Sequence, residues 1–141
     1  SIDGRGGDDS IMGDIGDDTL LGSGGHDVID GGRGWDVLDG GWGEDTLDGG
    51  AGHDTLSGDA GNDAIYGGDG DDVIFDGWGD DYVDAGWGND SIFGKEGDDL
   101  ILAGDGHDLA LGNGAPEGVP AHGRGVKKKR AHGNEKHQPH V

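Results

Sequence analysis

An aliphatic side chain recurs at every ninth residue along most of this chain: Ile11, Leu20, Ile29, Leu38, Leu47, Leu56, Ile65, Ile74, Val83, Ile92 and Ile101, with Ala110 closing the series. Each stands at the centre of a triplet such as Thr55-Leu56-Ser57 or Val73-Ile74-Phe75. Strand side chains alternate between faces, so each triplet predicts a three-residue strand with only its central side chain inside. The six residues between triplets are mostly Gly, Asp and Asn, types that tolerate positive φ, and they predict a tight turn whose carbonyls point inward. From Gly4 to Leu111 the nine-residue spacing holds through twelve units without insertion or deletion; the fourth place is always Gly and the sixth always Asp.

Two units make one 18-residue coil, with a strand on each side and a turn at each edge. Twelve units then give six coils, a stack about 29 Å long at roughly 4.8 Å per coil. The interior is a single file of aliphatic pairs. Each coil buries about two aliphatic side chains at roughly 1.5–3 kcal/mol apiece, whereas ordering its residues costs about 1–2 kcal/mol each. Burial alone cannot hold such a fold.

Composition sharpens this conclusion. Leu, Ile, Val and Phe number 26 of 141 residues against a formal charge of −22, which excludes an ordinary oil-drop core. Cys is absent, so no disulfide or thiolate site substitutes for that core. No stretch approaches the roughly 18 apolar residues of a membrane helix. The negative charge argues against nucleic acid, whose phosphates call for Lys and Arg, and favours cations as partners.

The unit Gly49-Gly-Ala-Gly-His-Asp-Thr-Leu-Ser57, with its eleven in-phase companions, resembles the calcium-binding nonapeptide of the RTX (repeats-in-toxin) family, G-G-x-G-x-D-x-U-x. The resemblance implies an all-β fold, a right-handed parallel β-roll, or β-solenoid, with Ca²⁺ in its turns, belonging to a protein secreted by bacteria. The physics agrees. Stacked aspartates about 4.8 Å apart repel by roughly 3.5 kcal/mol at an effective dielectric of 20. A hard divalent cation between turns removes that repulsion, and carboxylates with carbonyls are what Ca²⁺ prefers. One edge offers Asp9, Asp27, Asp45, Asp63, Asp81 and Asp99, and the other Asp18, Asp36, Asp54, Asp72, Asp90 and Asp108. Six turns per edge leave five gaps, hence an expectation of about ten Ca²⁺. Their charge would nearly cancel the net −26 of residues 1–111, where 29 acids face Arg5, Arg33 and Lys95.

The resemblance further implies that carbonyls of turn glycines complete each site, among them Gly31, Gly34, Gly40, Gly43, Gly49, Gly52, Gly67 and Gly70. Mg²⁺ fits less well, since it demands compact octahedral geometry. His26, His53 and His107 fall at the fifth place and are read as solvated turn residues rather than ligands of a transition metal.

Departures from the pattern carry expectations of their own. Asp76, Ala85 and Ala103 replace the first Gly, and Arg5, Asp14, Ser23, Asp59 and Lys95 the second, which predicts strained or weaker turns. The weakest sites are expected at the ends and the firmest between Asp27 and Asp90. Phe75, Phe93 and Leu111, beside Val73 and Leu109, form an outward apolar stripe, read either as a docking surface covered by a missing domain, by the tail or in self-association, or as ordinary cross-strand packing. Trp35, Trp42, Trp78 and Trp87 project from the turns, where a sugar-binding platform is a lesser alternative.

Residues 1–111 are therefore expected to form the β-roll and 112–141 a basic tail rich in Gly, Pro and His, without regular structure. Lys127–Arg130 resembles a nucleic-acid patch, a reading opposed by the acidic roll beside it. The chain opens on Ser1, as expected of a processed product or a segment of something larger, with any export signal expected to lie outside it or to be unorthodox. No H-E-x-x-H or G-x-S-x-G occurs, so catalysis is expected to lie elsewhere. The expected function is a calcium-binding module of a secreted, extracellular protein that folds on Ca²⁺ after export. The alternatives are a segment of a secreted protease, lipase, alginate epimerase or toxin, and a structural spacer or adhesin element at the cell surface.

Overall fold

The computed structural model describes residues 1–112 and the backbone of residues 119–122 and 126–130. Among these it contains two β-sheets and no helix. One sheet runs β1 (Ile2–Asp3), β3 (Thr19–Gly24), β5 (Val37–Trp42), β7 (Thr55–Ala60), β9 (Val73–Phe75), β11 (Ser91–Phe93), β13 (His107–Leu111) and β14 (Val119–His122). The other runs β2 (Ser10–Met12), β4 (Val28–Asp30), β6 (Thr46–Asp48), β8 (Ala64–Asp69), β10 (Tyr82–Trp87), β12 (Asp98–Leu102) and β15 (Val126–Arg130). Odd and even strands alternate between the sheets through residue 111, so the chain winds as a parallel β-solenoid of about six turns.

Pairing keeps one offset throughout. Leu20, Leu38, Leu56, Ile74, Ile92 and Ala110 stand opposite one another in the first sheet. Ile11, Ile29, Leu47, Ile65, Val83 and Ile101 do so in the second. These twelve are the buried hydrophobic core, joined by Ala85 and Ala103, whose methyls replace the first-place glycine hydrogens. A register slip of one residue would turn every core aliphatic outward, which is why eighteen is enforced.

The turns are laddered as well. Gly7 N–H donates to the Gly24 carbonyl at 2.8 Å and Gly24 N–H to the Arg5 carbonyl at 2.9 Å, a pattern repeated from coil to coil. This stacking needs left-handed backbone: Gly43 has φ +124°, and a Cβ there would lie 1.7 Å from the Gly25 carbonyl oxygen. Arg5, Asp14, Ser23 and Asp59 adopt φ of 72–76° at the second place, the strain expected of them. Lys95 is not among the positive-φ residues, so its turn takes another course.

At the C-terminal end β14 pairs antiparallel with β13, and β15 with β12, where Arg130 stands opposite Asp98 and Lys129 opposite Asp99. Both pieces lie within the segment expected to lack regular structure; the rest of that expectation lies outside the described residues. Each covers the exposed edge of the last parallel strand in its sheet.

Candidate metal centre

The twelve sixth-place aspartates form two columns of six, one along each edge. In every successive pair the later carboxylate reaches back one coil, its Oδ1 accepting the backbone N–H of the earlier aspartate. On one edge these bonds join Asp9 to Asp27, Asp27 to Asp45, Asp45 to Asp63, Asp63 to Asp81 and Asp81 to Asp99, at 2.7–2.9 Å. On the other they join Asp18 to Asp36, Asp36 to Asp54, Asp54 to Asp72, Asp72 to Asp90 and Asp90 to Asp108, at 2.8–2.9 Å.

The second oxygen has a different fate. Oδ2 of Asp9, Asp27, Asp36, Asp45, Asp54, Asp63, Asp72, Asp81 and Asp90 is buried with no hydrogen-bond partner. A buried carboxylate oxygen left so is costly unless a cation serves it. The space around it is lined by backbone. A Cβ on Gly31 would lie 2.8 Å from Asp36 Oδ2 and 2.8 Å from the Gly49 carbonyl oxygen; on Gly49 it would lie 2.7 Å from Asp54 Oδ2 and 2.8 Å from the Gly67 carbonyl oxygen. Gly40 meets Asp45 Oδ2 at 2.6 Å and Gly67 meets Asp72 Oδ2 at 2.8 Å in the same way. An anionic oxygen and a carbonyl oxygen of the next coil thus converge on a place that glycine keeps open. This hard-oxygen donor set fits Ca²⁺.

The fourth-place glycines Gly34, Gly43, Gly52 and Gly70 form a separate column. A Cβ on any of them would lie 1.7–2.1 Å from the fourth-place carbonyl oxygen one coil earlier, so backbones here approach as closely as they can.

Burial is the largest influence on the carboxylates, raising Asp54 to about 6, Asp63 and Asp90 to about 7, and Asp72 and Asp81 to about 8. The accepted N–H opposes the rise and neighbouring carboxylates add to it. Asp36 and Asp45 are raised for the same reasons. Without a counter-charge, Asp72 and Asp81 favour the protonated form near neutral pH. Asp9 and Asp18 are only part-buried, whereas Asp99 and Asp108 are as buried as the central aspartates, so the end effect on burial shows at the N-terminal end alone.

Sequence reasoning missed the fifth place. There the side chain bonds forward: Asp8 accepts from His26 N–H at 2.9 Å, His26 Nδ1 from Glu44 N–H at 2.8 Å and His53 Nδ1 from Asp71 N–H at 2.8 Å. Asn62, Asp71, Asp80 and Asn89 do likewise. His26 and His53 are therefore structural acceptors in exposed turns, a role beyond the solvated one expected. Eleven of the twelve fifth-place residues carry an acceptor, Trp35 being the exception, and that column was the available signal.

The four tryptophans are exposed at the edges. Trp35 packs on His53 with ring centroids 5.0 Å apart, and Lys95 Nζ lies 5.9 Å from the Trp78 ring centroid. On the first sheet Phe75 and Phe93 stack at 5.2 Å and are partly buried, while Leu109 is exposed.

The family model of the RTX calcium-binding nonapeptide repeat, built of four copies, matches this chain over residues 1–20, 12–47, 21–56, 39–74, 57–92 and 84–114. No curated protein matches it.

Proposed function

Because the chain belongs to the family of RTX calcium-binding nonapeptide repeats, whose members bind calcium, we propose that it is the folding module of a secreted bacterial protein, disordered where Ca²⁺ is scarce and a rigid roll where it is plentiful. The observation that carries this reading is the column of buried Oδ2 atoms without partners. In each gap the aspartates of two successive coils, from Asp9 to Asp99 on one edge and Asp18 to Asp108 on the other, supply the charge. Carbonyls of turn residues supply the remaining donors; those of Gly40, Gly49 and Gly67 border the same glycine-kept spaces as Oδ2 of Asp27, Asp36 and Asp54. Bound Ca²⁺ would supply the positive charge that the turns lack. Ten gaps correspond to about ten ions. The repeat itself does no chemistry, and its benefit to the parent is passage across a membrane unfolded followed by folding outside.

Circular dichroism during a Ca²⁺ titration, with Mg²⁺ as control, tests the proposal. The β signal is expected to rise steeply with Ca²⁺ alone, and Asp54→Ala, which faces a gap on both sides, to weaken the transition more than Asp108→Ala. An ordered roll after exhaustive chelation at neutral pH, or equal effects of the two substitutions, would refute it.

A further inference from the structure

One unit breaks the glycine rule with a charge. Asp76 occupies the first place of the unit 76–84, where nine of the twelve units have Gly and two have Ala. Its side chain is fully buried, in the space that glycine leaves open elsewhere. Its Oδ1 accepts Gly77 N–H at 2.7 Å and Lys95 N–H at 2.8 Å, and this second bond accompanies the altered course of the turn at Lys95. Among the described residues, Asp76, Asp81 and Asp99 bring one carboxylate oxygen each within 4.8 Å of the others. Asp81 is 3 % exposed and its Oδ2 has no hydrogen-bond partner.

Other gaps set two sixth-place carboxylates face to face; here a third joins them. We infer that Asp76, Asp81 and Asp99 form a divalent-cation site of higher charge than the rest of the roll, the first to load as Ca²⁺ rises and the seed from which the neighbouring coils order. The inference rests on the proposed calcium-dependent folding, and goes beyond it by giving the ten gaps an order of filling. Ligand charge is one of the main means by which oxygen-donor sites tune Ca²⁺ affinity over decades. Stacked repeats fold by propagation from wherever a first interface forms.

The test uses the full 141-residue chain and two variants. Asp76→Asn keeps an acceptor for Lys95 N–H but removes the charge; Asp76→Gly restores the residue that most other units carry, so a folded roll is expected. Competition against a chromophoric chelator reads ion uptake, and ellipticity is followed in parallel. The parent should take up one Ca²⁺ at about tenfold lower free concentration than the main transition, and both variants should lose that early step. Parent-like uptake by both variants would overturn the inference, and so would its retention in Asp76→Asn alone, which would make Asp76 a hydrogen-bonding residue only. Ion uptake is read independently of ellipticity. An early ion without any calcium-driven rise in β signal would therefore sink the folding proposal, and the seeding role with it, and leave only the high-charge ion site standing.

Discussion

Asp72→Asn separates the two roles assigned to the sixth-place carboxylate. The amide keeps an oxygen to accept Asp54 N–H, now bonded at 2.8 Å, and replaces the charged, unpartnered Oδ2 with a neutral group near the Ala85 carbonyl. Asp72 is 1 % exposed, and burial first, then the neighbouring Asp90 and Asp54, push it up to about 8. A group raised in this way stabilises the fold fully below its unfolded value near 3.8, and the contribution is lost as pH rises through the folded value. At pH 7 the penalty on the metal-free roll spans about three pH units at ~1.4 kcal/mol each, an upper bound of about 4 kcal/mol. Screening and proton sharing along the column reduce this to about 2 kcal/mol. In chelator at pH 7, folding driven by an excluded osmolyte should therefore reach its midpoint earlier in Asp72→Asn than in the parent, by far-ultraviolet circular dichroism. In Ca²⁺ the order should reverse, because two gaps lose a carboxylate. A variant less stable than the parent in chelator would refute the reasoning, since the buried charge would then be no liability.

Acid should partly replace calcium. In chelator with fixed osmolyte, lowering pH from about 8 to about 5 protonates Asp81, Asp63, Asp90 and Asp54, whose raised values lie between about 6 and about 8, and the β signal should grow. With Ca²⁺ present the same acidification should raise the calcium midpoint, protons competing for the ligands. Gly43→Ala places a Cβ at φ +124°, 1.7 Å from the Gly25 carbonyl oxygen, and should cost at least about 2–3 kcal/mol of calcium-loaded stability in thermal unfolding.

Much of this molecule was legible because every contact that matters spans one fixed interval. Once Leu20, Leu38 and Leu56 were placed on one line, the core, the two sheets and the split of the aspartates between edges followed. Less legible were features requiring a view along the turns. His26 and His53 looked like variable residues, because their role depends on a nitrogen accepting from a backbone one coil on. Asp76 was read only as an awkward substitution for Gly; its company with Asp81 and Asp99 needs both the offset of five within a turn and the offset of eighteen between turns. Pairing of β14 and β15 with the last coil follows no period, and the Pro and Gly around them pointed away from strands.

The constant offset of eighteen also bears on how such a chain can change length. Loss or duplication of eighteen codons would leave each remaining residue facing the kind of neighbour it had before, so whole rungs can be traded without repacking. Half that number behaves differently. With residues 49–57 excised, Asp63 would reach back to Asp36 and both carboxylate columns would survive, yet Phe75 would come to stand beside Asp48 as the two outer faces exchanged places downstream. The ion ladder is indifferent to which side it climbs. The outward surfaces are not, and they alone would oppose inheritance of an odd number of units.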